Sequence, residues 1–297
     1  MQPTPSGIWL PLITPFRDGA LDIPSVRRLV THYAAQPIDG LILAATTGEG
    51  MTLDAGETEH LVQETVVALA SAGRRLPVFL GLSGSDTRHG VADLVRTASW
   101  PIDGYLIACP YYSRPSQEGL FRHFSALADG TDRPILIYNI PYRTGVNLGN
   151  ETMLRLAERP NIVGVKDCCA IAEQSFDLIR AKPAGFSVLT GEDALFHTAL
   201  TQGADGGILA AAHVGTGTYA KVAGLLRNGD HAQALAAWRA FVDLPRLMFT
   251  EPNPAPIKHW LWRAGLIDSP ELRLPMTGVT EALAARLDAR YAASHAG

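Results

Sequence analysis

Eight short apolar segments, spread over the first 210 residues of the 297-residue chain, constrain the fold more than any other feature. Each segment is apolar throughout rather than alternating, which is typical of strands buried on both faces of a parallel sheet. The segments are GIWLPLI (7–13), GLILAAT (40–46), PVFLGL (77–82), DGYLIAC (103–109), PILIYNI (134–140), NIVGVK (161–166), FSVLT (186–190) and GGILA (206–210).

Longer amphipathic segments separate these strands. Examples are 54–72, 86–98, 116–128 and 171–181. Several follow side chains that commonly cap helices, namely Asp54, Asp86 and Ser116. Eight strands with intervening helices predict an α/β fold, a (β/α)8 TIM barrel, over residues 1–226. A doubly wound open sheet is the competing architecture, and it is disfavoured because no glycine-rich fingerprint follows the first strand.

The strand pattern stops after residue 217, and the remaining segments have a helical pattern. These segments are 217–226, 229–247, 255–265 and 279–293. The first of them would close the barrel. Residues 227–297 are therefore predicted to form a small C-terminal helical domain.

Composition argues against several classes of function. The net charge of −4 predicts no nucleic-acid partner, which would need a basic patch. No run of 18 apolar residues is present, so no membrane span is expected. The N-terminus has no basic segment ahead of an apolar stretch, and three cysteines fit a reducing compartment, so we expect a cytoplasmic protein. The nine histidines are scattered, so a metal-dependent reaction is disfavoured.

Chemistry in a barrel of this kind lies at the C-terminal ends of the strands. NIVGVK ends in Lys166, one of only four lysines in the chain. An apolar pocket lowers the pKa of a lysine, so the amine can attack a carbonyl and form a Schiff base, which then acts as an electron sink. Tyrosines at other strand ends can move protons, and Arg143 can hold a carboxylate bidentately.

Ordinary structural roles compete with these interpretations. Lys166 could extend its amine to solvent, as strand-end lysines often do. Cys168 and Cys169 are expected to be small buried side chains, and neighbours on a strand point to opposite faces. Glu49 is expected to form a local hydrogen bond rather than to act as a base. The proline-rich segment 251–260 is expected to be structural.

Several longer motifs resemble the dihydrodipicolinate synthase / N-acetylneuraminate lyase family of class I aldolases. They are TTGE (46–49), PYYSRPSQEGLFRHF (110–124), YNIPYRTG (138–145) and GVKD (164–167), with EPNPAPIKHWL (251–261) and LRLPMT (272–277) most similar to the synthase branch. The resemblance implies a (β/α)8 barrel with a C-terminal helical domain and a homotetramer built as a dimer of dimers. It also implies a lyase that needs no metal or organic cofactor, because a Lys–pyruvate imine is the electron sink.

The same resemblance implies a role for each of eight site residues. Lys166 would form the Schiff base with pyruvate, and Tyr138 would be the general acid and base. Thr46 would link Tyr138 to Tyr112, which the family inserts from a neighbouring subunit. The other implied roles are carboxylate binding for pyruvate (Thr47) and for a small aldehyde (Arg143), and contacts around the lysine (Gly191 and Ile208).

Three hypotheses for function follow. The first is condensation of pyruvate with L-aspartate 4-semialdehyde to 4-hydroxy-tetrahydrodipicolinate, on the route to diaminopimelate and lysine. The second is a related aldolase or dehydratase acting on a 2-keto-3-deoxy sugar acid or N-acetylneuraminate, suggested by unusual segments at 81–86 and 167–170. The third is a non-catalytic barrel that senses a small 2-keto acid. Substitutions such as Gly50 and Ala55, where lysine-inhibited synthases bind lysine, predict no feedback by that amino acid.

Overall fold

The eight predicted strands close into a parallel barrel in the computed structural model, which describes residues 4–295. The barrel strands are β1 (Gly7–Pro11), β4 (Gly40–Leu43), β5 (Val78–Leu82), β6 (Gly104–Ala108), β7 (Ile135–Asn139), β8 (Ile162–Asp167), β9 (Ser187–Thr190) and β10 (Gly206–Ile208). Their order around the barrel is β1-β10-β9-β8-β7-β6-β5-β4. The prediction of a (β/α)8 TIM barrel is confirmed.

An antiparallel hairpin follows β1 and was not predicted. Its strands are β2 (Phe16–Arg17) and β3 (Ala20–Leu21). Each has two residues, too few for a period of two to be visible in the sequence. Gly19, at the turn, has a φ of 80°, which suits glycine.

The helices lie between and after the strands. They are α1 (Ile23–Ala34), α2 (Ala55–Ser71), α3 (Thr87–Arg96), α4 (Gln117–Asp129), α5 (Pro141–Thr144), α6 (Asn150–Leu156), α7 (Ala172–Ala181), α8 (Phe196–Thr201), α9 (Ala212–Arg227), α10 (His231–Phe241), α11 (Asp243–Met248), α12 (Ala255–Arg263) and α13 (Glu281–His295). The three predicted N-caps are confirmed, since Asp54, Asp86 and Ser116 each accept a backbone N–H from the first turn.

Two hydrophobic cores explain why the strands are apolar on both faces. Inside the barrel, one core includes Trp9, Ile42, Phe79 and Leu106. A larger core fills the layer between the strands and the helices. Within residues 4–295, no helix has the length and apolar character needed to cross a membrane.

The C-terminal helices differ in detail from the prediction. Segment 229–247 is two helices, α10 and α11, rather than one. Pro245 explains the break, because its ring would clash with the carbonyl of Phe241 in a continuous helix. Trp238 and Phe241 of α10 pack on Tyr219 of α9. The domain boundary between residues 226 and 227 stays a prediction.

Candidate active site

Lys166 lies near the C-terminal end of β8 and is buried, with only 6% of its surface exposed. Register pairs it with Tyr138 on β7, so the two side chains point to the same face of the sheet. The Lys166 Nζ atom lies 4.4 Å from the centroid of the Tyr138 ring. Burial lowers the pKa of Lys166 because the charged form loses its hydration. The amine is therefore more available as a nucleophile than a solvated lysine.

Gly191, after β9, makes room for this lysine. A Cβ atom at position 191 would lie 2.5 Å from Cε of Lys166 and 2.3 Å from the thiol sulfur of Cys168. Both distances are far below van der Waals contact. The Gly191 N–H donates to the Asp167 carbonyl at 2.9 Å, which fixes the backbone here. The glycine is required by a close approach of side chains.

The predicted proton relay is only partly assembled within one chain. Tyr138 is buried, and burial raises the pKa of its phenol, so the hydroxyl stays protonated. Among the described residues, the hydroxyls of Tyr138 and Thr46 form no hydrogen bond with each other. The side chain of Tyr112 is 93% exposed and lies outside the group around Lys166. The relay through Thr46 and Tyr112 stays a prediction.

The loop that carries Thr46 and Thr47 has a constrained backbone. It follows β4 as a short 3₁₀ turn, and its flanking residues Ala44 and Glu49 have φ values of 53° and 50°. Residues other than glycine adopt this left-handed conformation at a cost, so surrounding contacts must hold it. A Cβ atom on Gly50 would lie 1.7 Å from the Ala44 carbonyl oxygen. The glycine lets the loop close on itself.

Those surrounding contacts come from the C-terminal part of the chain. The Thr47 hydroxyl accepts a hydrogen bond at 2.9 Å from the side-chain amide of Asn253. Glu49 pairs with Lys258 of α12 at 2.5 Å, and both side chains are almost completely buried. Glu49 also accepts the backbone N–H of Arg273 at 3.0 Å. The prediction that Glu49 bonds locally is therefore wrong for its side chain, whose partners lie more than 200 residues away.

Asn253 and Lys258 were not predicted as parts of this site. The motif EPNPAPIKHW contains both, and its prolines predict only a structural role. The available signal was a lysine, one of only four in the chain, five residues after an asparagine. Periodicity could not show that this segment reaches the loop after β4.

Arg143 and Ile208 complete the predicted set. Arg143 lies on α5, directly after β7, with an exposed guanidinium that makes no hydrogen bond or ion pair with the described residues. Its donors are therefore available to a ligand. Ile208, at the end of β10, is fully buried in the interior core beside Leu189.

A second polar group, with no role predicted from the sequence, lies on α5 and on the loop after β9, the two segments that flank the end of β8. The Tyr142 hydroxyl donates to the Glu192 carboxylate at 3.0 Å. Burial raises the pKa of the Cys168 thiol, which directly follows β8. Asp193 accepts the Ala211 N–H at 2.6 Å, and burial raises the pKa of its carboxyl to about 7.

The two adjacent cysteines point to different environments. Cys168 lies in the interior core of the barrel. The Cys169 thiol lies 3.2 Å from the Ser175 hydroxyl of α7. Among residues 4–295, no group of three or more His, Cys, Asp and Glu side chains is arranged to hold a metal ion.

Comparison with known proteins decides the family. A model of the dihydrodipicolinate synthetase family matches residues 4–293. The chain belongs to the dihydrodipicolinate synthetase family. It is 42% identical over 282 residues to 4-hydroxy-tetrahydrodipicolinate synthase 2 of Clostridium acetobutylicum, covering 95% of this chain and 98% of that protein. It is 36% identical to 4-hydroxy-tetrahydrodipicolinate synthase of Azoarcus sp., covering 93% and 94%.

Solved structures of dihydrodipicolinate synthetase family members share the whole fold. The 4-hydroxy-tetrahydrodipicolinate synthase of Methylacidiphilum fumariolicum superposes with a TM-score of 0.90 at 34% identity, covering 97% of both chains. The dihydrodipicolinate synthase of Aquifex aeolicus gives 0.92 at 31% identity, covering 97% of this chain and 98% of that one. The resemblance found in the sequence motifs is confirmed along nearly the entire chain.

Proposed function

We propose that this protein is a Schiff-base-forming lyase that condenses pyruvate with L-aspartate 4-semialdehyde to 4-hydroxy-tetrahydrodipicolinate. The observation that carries the proposal is the buried amine of Lys166, with its lowered pKa, 4.4 Å from the Tyr138 ring. Membership of the family and relatives named 4-hydroxy-tetrahydrodipicolinate synthase support the same reaction.

Lys166 begins the chemistry as a neutral amine. It attacks the pyruvate ketone, and the carbonyl oxygen leaves as water when the imine forms. The protonated imine withdraws electrons, so the methyl group loses a proton and becomes an enamine. The enamine carbon bonds to the aldehyde carbon, whose oxygen takes up a proton. The amino group of the semialdehyde then attacks the imine carbon, which closes the ring and displaces the Lys166 amine. Tyr138, protonated because of its burial, is the proposed donor and acceptor of these protons.

Two groups would hold the substrate carboxylates. Thr47 and nearby backbone N–H groups are proposed to bind the pyruvate carboxylate, with the Thr47 hydroxyl oriented by Asn253. Arg143, with no protein partner among the described residues, is proposed to bind the carboxylate of the aldehyde. A free guanidinium favours an aldehyde that carries a carboxylate over an uncharged sugar chain. Gly191 and Ile208 are proposed to shape the wall around Lys166.

The remaining proposals concern the oligomeric state, the cellular compartment and the cofactor requirement. We propose a homotetramer, a dimer of dimers, in which Tyr112 reaches the site of a neighbouring subunit. Its 93% exposure in the single chain leaves the ring available for such a contact. We also propose that the enzyme works in the cytoplasm without a metal or organic cofactor, since the Lys166 imine supplies the electron sink.

Reductive trapping tests the proposal at the lysine. Borohydride in the presence of pyruvate should fix a pyruvyl adduct on the peptide that contains Lys166, identified by mass spectrometry. Lys166→Arg should abolish the adduct, and the matched control Lys221→Arg, an exposed lysine on α9, should keep it. An unmodified Lys166 peptide at saturating pyruvate would contradict the mechanism.

A substrate panel tests the second substrate. Condensation of pyruvate with L-aspartate 4-semialdehyde should exceed cleavage of N-acetylneuraminate and of 2-keto-3-deoxy sugar acids. Fast cleavage of a sugar acid with negligible condensation would replace this function with the aldolase alternative.

A further inference from the structure

A hydrogen bond crosses the mouth of the barrel above the reactive lysine. Tyr142 lies on α5, which follows β7, and Glu192 lies in the loop after β9. Their contact, 3.0 Å between the phenol oxygen and Oε1, joins two loops whose strands flank β8. Because Lys166 is on β8, the connection passes over the strand that carries the proposed nucleophile. We call this pair the Tyr142–Glu192 bridge.

Both ends of the Tyr142–Glu192 bridge are held in place. The Glu192 backbone N–H donates to the Thr190 hydroxyl at 3.2 Å, which fixes the start of the loop after β9. Tyr142 belongs to a short helical turn whose end, Gly145, donates to the Pro141 carbonyl at 2.8 Å. Burial and the Glu192 carboxylate raise the pKa of Tyr142, so its phenol remains a donor at neutral pH.

The position of the bridge limits the space above Lys166. Tyr142 is 61% exposed, so much of its ring is accessible to solvent and to an incoming substrate. Arg143, the next residue, would anchor the far carboxylate of the aldehyde. A longer aldehyde anchored there has to push the Tyr142 ring aside and break a hydrogen bond to a charged acceptor. Breaking such a hydrogen bond lowers the equilibrium constant for binding by a factor of about 10 to 100.

We propose that the Tyr142–Glu192 bridge sets the maximum length of the aldehyde that condenses at Lys166. This inference rests on the proposed function, since it assumes a pyruvate enamine as the nucleophile. Tyr142 is a specificity-determining residue in this scheme and takes no part in proton transfer. The bridge selects a four-carbon semialdehyde over aldehydes with longer chains.

A series of aldehydes that differ only in length tests the inference. Pyruvate is condensed with succinate, glutarate and adipate semialdehydes, and kcat/KM is measured for each. The wild-type enzyme should lose activity steeply with length. Tyr142→Ala should reduce that loss by about tenfold or more. Tyr142→Phe, which keeps the ring but not the hydrogen bond, should reduce it by a smaller factor.

Controls separate selectivity from general damage. Phe176→Ala, an exposed aromatic residue on α7, should leave the length profile unchanged. Borohydride trapping of pyruvate on Lys166 should proceed at the wild-type rate in both Tyr142 variants. A length profile that is the same in the wild type and in Tyr142→Ala, with trapping intact, would overturn the inference.

The semialdehydes in the series have no amino group, so water releases each product by hydrolysis of its imine with Lys166. The result therefore does not depend on L-aspartate 4-semialdehyde being the natural substrate. Failure of that substrate alone, with the length dependence present, would reject the proposed function and keep the bridge. Failure of trapping in the wild type would reject both.

Discussion

Lys166 can act as a nucleophile because neighbouring residues bury its amine from water and leave room for its side chain. The barrel interior removes its hydration, which lowers its pKa. The missing Cβ at Gly191 lets the lysine side chain pass. Neither feature works alone, since a buried lysine that is pushed out of position cannot meet the carbonyl.

Gly191→Ala should therefore impair catalysis more than folding. The added methyl group lies within 2.5 Å of Lys166 Cε and must displace it. A displacement of about 1 Å at a reacting group can cost a factor of about 100 in rate. We expect kcat/KM for pyruvate to fall by that order, with slower borohydride trapping. Gly217→Ala, where an added Cβ meets nothing within 4 Å, is the control and should keep full activity.

The sequence predicted residues that lie at the ends of strands better than residues that meet across loops. Lys166 and Tyr138 follow from strand position alone, and the structure places them side by side. The contacts of Glu192 with Tyr142, and of Asn253 with Thr47, join distant segments. No local pattern encodes such pairs, because their spacing in the chain depends on the closed barrel.

Helix α12 and the loop after β4 act as one unit through the Glu49–Lys258 ion pair. Lys258 has no exposed side-chain surface, and its Nζ atom lies 4.3 Å from the Phe16 ring centroid. The amine also donates to the Glu271 carbonyl at 2.7 Å. The loop that presents Thr46 and Thr47 is thus supported from the C-terminal helices.

Glu49→Gln should destabilise the protein and weaken pyruvate binding together. A buried lysine left without its carboxylate costs about 3–5 kcal/mol, measurable as a lower free energy of unfolding in urea. The KM for pyruvate should rise because the loop loses its support. The double variant with Lys258→Met should recover much of the stability, since no buried charge remains. Asp243→Asn, in an exposed pair, should cost less than about 0.5 kcal/mol.

His213 makes α9 sensitive to acid. Its Nε2 accepts the Ile13 N–H at 3.2 Å and its Nδ1 donates to the Ala210 carbonyl at 2.7 Å, so the ring is neutral. Burial lowers the pKa of His213 from 6.5 to about 4. As the pH falls, the histidine of the unfolded chain takes up a proton before that of the folded chain. The contribution of neutral His213 to the free energy of unfolding is therefore fully present above pH 6.5 and is lost as the pH falls toward 4.

Replacing the histidine measures this effect. His213→Gln has no titrating ring, so its free energy of unfolding should change less between pH 6.5 and 4. The difference from the wild type is on the order of 3 kcal/mol over that interval. Equal pH dependence in both proteins would show that His213 is not the group responsible.

Elements with a long repeating pattern were predicted well, and short ones were not. All eight barrel strands and the long helices lie where the apolar pattern puts them. The β2–β3 hairpin and the turn α5 are too short for a period to be recognised. The division between α10 and α11 depends on Pro245, which the apolar pattern of the segment hides.

The site of one chain contains Lys166 but leaves Tyr112 in solvent. If Tyr112 completes the site of a neighbouring subunit, activity belongs to the assembly rather than to the single chain. The exposed ring, held by a backbone with a φ of 70°, projects from the loop after β6.

Mixing two inactive variants tests this arrangement. Tyr112→Phe and Lys166→Arg are each expected to have little activity. Hybrid dimers formed by unfolding and refolding the mixture contain one complete site, made of Lys166 from one subunit and Tyr112 from the other. Statistical mixing should restore about a quarter of wild-type activity, because half of the dimers are hybrids with one working site. Failure to restore activity, despite hybrids detected by mass spectrometry, would refute a shared site.

The closed sheet has a consequence for how copies of this protein can associate. Every barrel strand is hydrogen-bonded on both sides, with β1 joined to β10 and β4. No barrel edge is left to accept a strand from another chain, which removes one common route to aggregation. Subunits of this fold must therefore recognise each other by the side chains of loops and helices. Those surfaces can change through evolution without disturbing the backbone that positions Lys166.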